Sequence, residues 1–355
     1  MKPRKFNVFL NFKIGAFRKK ITVDPDKSLS IRSFLIGSIS QNISNAHNIL
    51  ESEDVKSTIS ACRKLGVQIK RVKPGSYKIF GKGLGCFFAK KNTNLNCGNS
   101  GTLARLIIGI LSTTPNIQIK ICGDHSLNKR NMRELIFLMS KFGASFLPKN
   151  KYSFPLKIIS SNFPIGIKYK AGVSAQLKSA VILAGLNSYG ETIIEEQISS
   201  RDHTENLLKK NKHIIQILKN RKKLIKINGK KNINNFDINV SGDPSSAAFF
   251  TTLTLLNKKS NLKIKNVGLN PSRIGFYEIL KKHKAKIKFI NLENKNNEKS
   301  GDVIVNSCVL KPLKTSPKMY PSTTDEYLLL FLIASFQKGI SSFKGIADLA
   351  NKESS

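Results

Sequence analysis

Gly123-Asp124-His125-Ser126-Leu127-Asn128-Lys129-Arg130 leads into an apolar-periodic stretch over 132–142 and then into Gly143-Ala144-Ser145-Phe146. The spacing predicts a turn, a helix and a strand. The pattern returns twice. Ile198-Ser199-Ser200-Arg201 precedes Asp202-His203-Thr204-Glu205-Asn206-Leu207-Leu208, and Val267-Gly268-Leu269-Asn270-Pro271-Ser272-Arg273 precedes a helical stretch at 277–282 and Ala285-Lys286-Ile287-Lys288-Phe289. Arg130, Arg201 and Arg273 are 71 and 72 residues apart. An earlier copy spans 54–69, where Val55, Ile59, Cys62 and Leu65 fall on one helical face before Gly66-Val67-Gln68-Ile69. A period of about 70 to 80 residues denotes a repeated supersecondary unit. Strand, helix and strands alternate within it, so the class is α/β (α+β). Each arginine sits beside a helix start, where unpaired N–H groups and a positive dipole end make an anion site. Three such units converging on one anionic ligand is the expectation.

The chain has 355 residues, enough for about two domains. With 40% hydrophobic and 23% charged residues it reads as globular. No apolar run is long enough to span a bilayer, so no membrane partner is expected. The basic first 20 residues lack a signal-peptide core and cleavage site, and Val8, Phe9 and Leu10 read as the start of a strand. Cys62, Cys86, Cys97, Cys122 and Cys308 are odd in number and form no C-x-x-C pair, which argues against disulfides or zinc and fits a reducing, cytoplasmic compartment. The net charge of +38 raises the question of nucleic acid. The lysines, however, are spread along a chain rich in Asn and Ile, as an A/T-rich coding sequence would give. The densest run, 209–231, has ten Lys/Arg interleaved with Ile214, Ile215, Ile217, Leu218, Leu224, Ile225 and Ile227. It reads as a helix then a strand with a solvated face, and it lacks the aromatics that base stacking needs. No nucleic-acid motif is present.

Seven further segments carry chemistry. Asp26-Lys27-Ser28-Leu29-Ser30-Ile31-Arg32 starts a helix with two cations and a hydroxyl. Cys97-Gly98-Asn99-Ser100-Gly101-Thr102-Leu103-Ala104-Arg105 is a glycine-bearing turn through which backbone N–H groups approach a ligand closely. The others are Gly123 to Met132, Ser174-Ala175-Gln176-Leu177-Lys178-Ser179-Ala180 with Ser200-Arg201-Asp202-His203-Thr204-Glu205, Gly242-Asp243-Pro244-Ser245-Ser246-Ala247, Thr324-Asp325-Glu326-Tyr327, and Lys352-Glu353-Ser354. In this order they resemble the motifs of the EPSP synthase (3-phosphoshikimate 1-carboxyvinyltransferase) family, and they cover almost the whole chain. There are departures. Val23-Asp24-Pro25-Asp26-Lys27 stands where the family has V-P-G-D-K, Ile31 where it has His, and Asn131 where it has Pro. The family also continues past the Lys-Glu-Ser motif for about one more repeat. The sequence alone therefore leads us to expect a truncated chain without useful turnover.

The resemblance implies two similar domains of βαβαββ-type units with the helices inside, an inside-out α/β barrel with its last unit missing. Residues 1–23 plus 241–355 would form the first domain and 24–240 the second. The implied reaction moves the enolpyruvyl group of phosphoenolpyruvate to the 5-hydroxyl of shikimate 3-phosphate and releases phosphate, in the shikimate pathway of aromatic amino-acid biosynthesis. It needs no metal or other cofactor, and a monomer is expected. By resemblance Asp325 is the acid/base at the 5-hydroxyl, Glu353 handles the proton at the methylene carbon, and Lys27 lies between the substrates and shares that role. Ser28, Arg32, Ser174, Ala175, Gln176, Arg201 and Lys352 would hold shikimate 3-phosphate, with Arg32 near its carboxylate. Gly101 and Arg130 would contact phosphoenolpyruvate. A related enolpyruvyl transferase acts on a UDP-amino sugar through a loop cysteine. Cys122 lies at a comparable place, but it precedes the Gly-Asp-x-Ser-Leu-x-x-Arg motif of the shikimate branch.

Overall fold

The repeat seen in the sequence is a four-stranded sheet wrapped around a helix that is apolar on every side. The computed structural model describes Phe9, Asn11 and residues 13–351, apart from 91, 220 and 221. Val8, Leu10, Lys352, Glu353 and Ser354 therefore lie outside the described residues, and Phe9 belongs to no strand.

The chain enters at β1 (Arg18–Ile21) and crosses at Asp24–Pro25 into α1 (Lys27–Ile39), β2 (Ile43–His47), α2 (Glu53–Lys64), β3 (Gln68–Lys73) and β4 (Ser76–Phe80). The next unit is β5 (Asn94–Asn96), α3 (Gly101–Ser112), β6 (Gln118–Cys122), α4 (His125–Lys129), α5 (Arg133–Lys141), β7 (Ser145–Leu147) and β8 (Leu156–Ile159). The third is β9 (Lys168–Ala171), α6 (Ala175–Leu186), β10 (Glu191–Glu196), α7 (His203–Leu208), β11 (Ile215–Lys219) and β12 (Lys223–Asn228). After β13 (Asp237–Asn239) the chain crosses back into α8 (Pro244–Leu256), β14 (Asn261–Gly268), α9 (Gly275–Lys282), β15 (Lys286–Lys295) and β16 (Glu298–Asn306). The remainder holds β17 (Lys314–Thr315), α10 (Tyr320–Thr323), α11 (Tyr327–Ser335) and β18 (Ser342–Phe343).

The sheets repeat one topology. Their orders are β5-β6-β8-β7, β9-β10-β12-β11, β13-β2-β4-β3 and β1-β14-β16-β15, with a smaller pair β17-β18. In each four-stranded sheet the first two strands are parallel and the rest antiparallel. A parallel pair needs a crossover, and an apolar helix supplies it within the α3 and α6 units. Two sheets borrow their first strand across the crossings: Asp237 pairs with Asn45, and Arg18 with Asn261. The crossings are themselves bonded, Asp26 N–H to Ser241 O at 2.9 Å and Asp243 N–H to Asp24 O at 2.8 Å.

Helix character follows from what each face meets. In α6 every residue from Leu177 to Leu186 is buried, and α1 is buried from Leu29 to Ile39. A helix apolar all round belongs inside. In α2 only Val55, Thr58, Ile59, Ala61 and Cys62 are buried, one stripe turned mainly to α1. Two apolar cores result. One runs from Leu29 to Val240 and the other from Ala247 to Ile333, with Phe17, Ile21 and Val23 packed on the second. In the second, α8 and α11 leave Phe249, Phe250, Leu328 and Leu332 exposed.

One sequence expectation fails here. The 209–231 run is two strands, β11 and β12, after a short helix that ends at Leu208, rather than a helix then a strand. The antiparallel hairpin sets Ile217 opposite Ile225 and turns Ile225 and Ile227 inward, with Lys226 on the opposite face and Lys223 drawn in beside the isoleucines, a two-residue period that the lysine clusters obscure.

Candidate active site

The helices α1, α3 and α6 are each capped by a short polar side chain. Asp26 Oδ1 accepts from Leu29 N–H at 2.8 Å, Ser100 Oγ from Leu103 N–H at 3.2 Å and Ser174 Oγ from Leu177 N–H at 3.4 Å. Each cap takes one of the four spare N–H groups, and the rest remain a positive end. Side chains tie these ends together. Arg105 Nη1 donates to Gln176 Oε1 at 2.9 Å, and Gln176 Nε2 donates to Thr102 Oγ1 at 3.0 Å. Arg32 Nε donates to Thr204 Oγ1 at 2.9 Å and its Nη2 to Ser179 Oγ at 3.3 Å, which joins α1 to α6 and α7.

At Gly101 a side chain would crowd two guanidinium groups. A Cβ there would lie 2.6 Å from Arg130 Nη1 and 2.8 Å from Arg105 Nη1. Two guanidinium groups thus close on the first turn of α3, a strong cationic patch against backbone N–H groups. Arg130 is held by donating to the backbone and side-chain oxygens of Asn99. Arg105, quoted within its motif but not counted among the expected site residues, belongs to the cluster. Its position four residues after Gly101, one helical turn on, was the available signal.

Lys27 is half exposed and pairs with Asp54 at 3.1 Å. Its neighbour Ser28 offers its carbonyl to Arg32 Nη1 at 3.1 Å. Arg32 is only 3% exposed, and burial lowers its pKa to about 10, which still leaves it charged at neutral pH. Ala175 begins α6. Arg201 reaches across to the other core and pairs with Asp325 at 2.7 Å. Asp325 is exposed in the turn before α11, and the N-cap place there belongs to Glu326. The structure therefore brings together Gly101, Arg130 and Gln176 through Arg105, and Arg201 with Asp325. It places Lys27, Ser28 and Arg32 on the adjoining helix. Lys352 and Glu353 lie outside the described residues.

Arg273 does not join this group. It is 3% exposed and locked between Asp243 at 3.2 Å, Ser245 at 2.9 Å and Asp26 at 3.9 Å. The expected three-arginine convergence is thus corrected: Arg273 is tied to the crossing, Arg130 to Asn99 beside Gly101, and Arg201 to Asp325. Asp26 and Asp243 cap α1 and α8 at the crossing, and their charge draws the third inward. Burial alone would raise the Asp26 pKa, but Arg273 holds it below the usual value. Among the described residues no three His, Cys, Asp or Glu gather in a way that could hold a metal ion, and no helix is long and apolar enough to cross a membrane.

Residues 13–355 match the family model for EPSP synthase (3-phosphoshikimate 1-carboxyvinyltransferase). The 3-phosphoshikimate 1-carboxyvinyltransferase of Petrotoga mobilis is 39% identical over 94% of this chain and 77% of its own length. That of Novosphingobium aromaticivorans is 36% identical over 100% of this chain and 79% of its own. The solved EPSP synthase of Acinetobacter baumannii superimposes with a TM-score of 0.83 at 34% identity, over 96% of this chain and 76% of that one. The enolpyruvyl transferase NikO of Streptomyces tendae, at 11% identity and a TM-score of 0.70, shares the fold. These matches run through nearly all of this chain and lend no support to the expected truncation, while the chain spans about three quarters of each relative's length. With its motifs, its mixed α/β fold and its sequence agreeing over that whole span, the chain belongs to the EPSP synthase family.

Proposed function

We infer that this chain is an enolpyruvyl transferase that joins phosphoenolpyruvate to the 5-hydroxyl of shikimate 3-phosphate, a step of the shikimate pathway. The observation that carries the reading is the set of cations gathered at the capped ends of α1, α3 and α6, facing a carboxylate from the other core through Arg201 and Asp325. Both substrates are polyanions, and a cationic wall offsets their mutual repulsion. In the proposed cycle the 5-hydroxyl oxygen bonds to C2 of phosphoenolpyruvate, its proton passes to Asp325, and the methylene carbon takes a proton. The tetrahedral adduct then loses that proton and phosphate, leaving the enol ether. Lys27 and Glu353 serve the carbon end. Arg32 meets the acceptor's carboxylate, and Ser28, Ser174, Ala175, Gln176, Arg201 and Lys352 hold its phosphate and ring. Gly101 and Arg130 hold phosphoenolpyruvate.

Three of the five Arg32 N–H groups are taken by Ser28, Ser179 and Thr204, which leaves one on each terminal nitrogen. A carboxylate takes such a pair in parallel. The two cores support a division into domains at 24–240 and at 1–23 with 241–355, and the proposed protein works as a monomer in the cytoplasm. Phosphate release assayed with both substrates, and with each alone, tests the function. Release only with both is the expected result; no release with both overturns the assignment.

A further inference from the structure

Beneath the site lies a closed ring of four charges. Lys178, Glu196 and Glu205 are fully buried, and Lys223 is nearly so. Lys178 Nζ lies 2.7 Å from both Glu196 and Glu205, and Lys223 Nζ lies 2.7 Å from Glu196 and 3.6 Å from Glu205. Two cations and two anions balance. Burying them costs several kcal/mol per ion, and an apolar quartet of the same volume is often as stable. A stability role alone gives little reason for the ring.

Its neighbours in sequence give a better one. Lys178 precedes Ser179, and Glu205 follows Thr204. Those two hydroxyls are the ones that fix Arg32, and they also bond to each other at 2.8 Å. Glu196 Oε1 accepts from both Ser200 N–H and Ser200 Oγ–H at 2.8 Å, and Lys178 donates to Ser200 O at 3.3 Å, which pins the residue just before Arg201. Neither Glu205 oxygen has a well-aligned hydrogen-bond donor, so that carboxylate is held by charge, chiefly that of Lys178 at 2.7 Å and more distantly that of Lys223 at 3.6 Å. We propose that Lys178 and Glu205 are positioning residues: their ion pair sets the register of α6 against α7, and that register aims Arg32 at the acceptor's carboxylate.

This inference rests on the proposed function, and its test separates the two. Calorimetry compares shikimate 3-phosphate with its carboxylate methyl ester on the full chain. The unsubstituted protein is expected to prefer the acid by about tenfold or more, as for a charged bidentate hydrogen bond. If it binds neither ligand, the functional reading fails and this inference falls with it. Lys178→Met/Glu205→Met keeps the charge balance and leaves Lys223 with Glu196. It is expected to keep its melting temperature within about 4 °C, while its preference for the acid collapses toward one. Thr204→Val leaves the ring whole and removes the acceptor of Arg32 Nε, and it is expected to lose the same preference. Should the double variant not fold, Glu205→Gln, which removes the ring's carboxylate charge at nearly the same volume, is measured in its place. An acid preference unchanged in either folded variant overturns the proposal.

Discussion

Arg201 and Arg273 stand at the same place in two repeats, each a step before a helix, and the molecule uses them in opposite ways. Arg201 holds one carboxylate from the other core, with 18% of its side chain exposed. Arg273 is sealed at the crossing between Asp26 and Asp243. The helix that follows cannot explain the difference, because both are short and start alike. What differs is the company brought by distant chain: two N-cap aspartates at the crossing for Arg273, and an exposed turn for Arg201. Equivalent positions in a repeat share geometry, and charge from elsewhere assigns the task.

The comparison breaks most visibly at the crossing. Arg273→Met leaves Asp26 and Asp243 buried and facing each other, and it should cost about 3–5 kcal/mol of stability by chemical denaturation. A loss under about 1 kcal/mol would make Arg273 a surface residue in all but position. At the Arg201 pair, Asp325→Ala should leave stability nearly intact and lower kcat by about 100-fold or more, the scale of general acid–base catalysis. Equal loss of stability and rate would erase the contrast. Arg201→Ala should weaken shikimate 3-phosphate binding by about 1.5–3 kcal/mol, as for a charged hydrogen bond, with the melting curve little changed. An unchanged affinity would remove Arg201 from the site.

A third guanidinium–carboxylate pair calibrates the lower end. Arg71 grips Glu51 at 2.6 Å on the surface, and with Tyr77 and the Gly75 N–H it draws the Glu51 pKa down to about 2. A carboxyl whose folded pKa is depressed adds stability above its ordinary pKa, and that stability is lost as pH falls toward the folded value. The window here is from about pH 4.5 down to about pH 2. Solvent screens this pair, so Glu51→Gln should cost about 0.5–1 kcal/mol at neutral pH and nothing below pH 2. A pH-independent difference between the two proteins would refute the assignment.

The repeat and the helix start at Asp26 were legible because each is written in local sequence, whereas the inward placing of the helices came from the resemblance. The lysine-rich hairpin was misread because alternation over five residues is easily lost among adjacent lysines. Arg273 was beyond reach for a different reason. Its partners lie 30 and 247 residues away, and nothing in Pro271-Ser272-Arg273 marks them. The Lys178 ring was hidden in the same way, since a helix with one lysine among apolar residues does not announce which acids will meet it. Asp325 and Arg201 were named through resemblance, while their contact with each other comes from the fold.

The borrowed strand has a consequence for how the protein is made. Arg18 pairs with Asn261, so β1 must wait for about 240 further residues before its partner exists. At roughly 5–20 residues per second a ribosome needs about 12 to 50 seconds to deliver it. Throughout that interval a strand-forming segment is presented with an open edge, the kind of template on which neighbouring nascent chains pair wrongly. Arg18-Lys19-Lys20 puts three adjacent cations on that edge, all exposed even in the finished sheet. Charge repulsion between chains would guard the segment during synthesis, and the finished sheet bears its cost where Lys20 stands opposite Lys263 and beside Lys265 of β14.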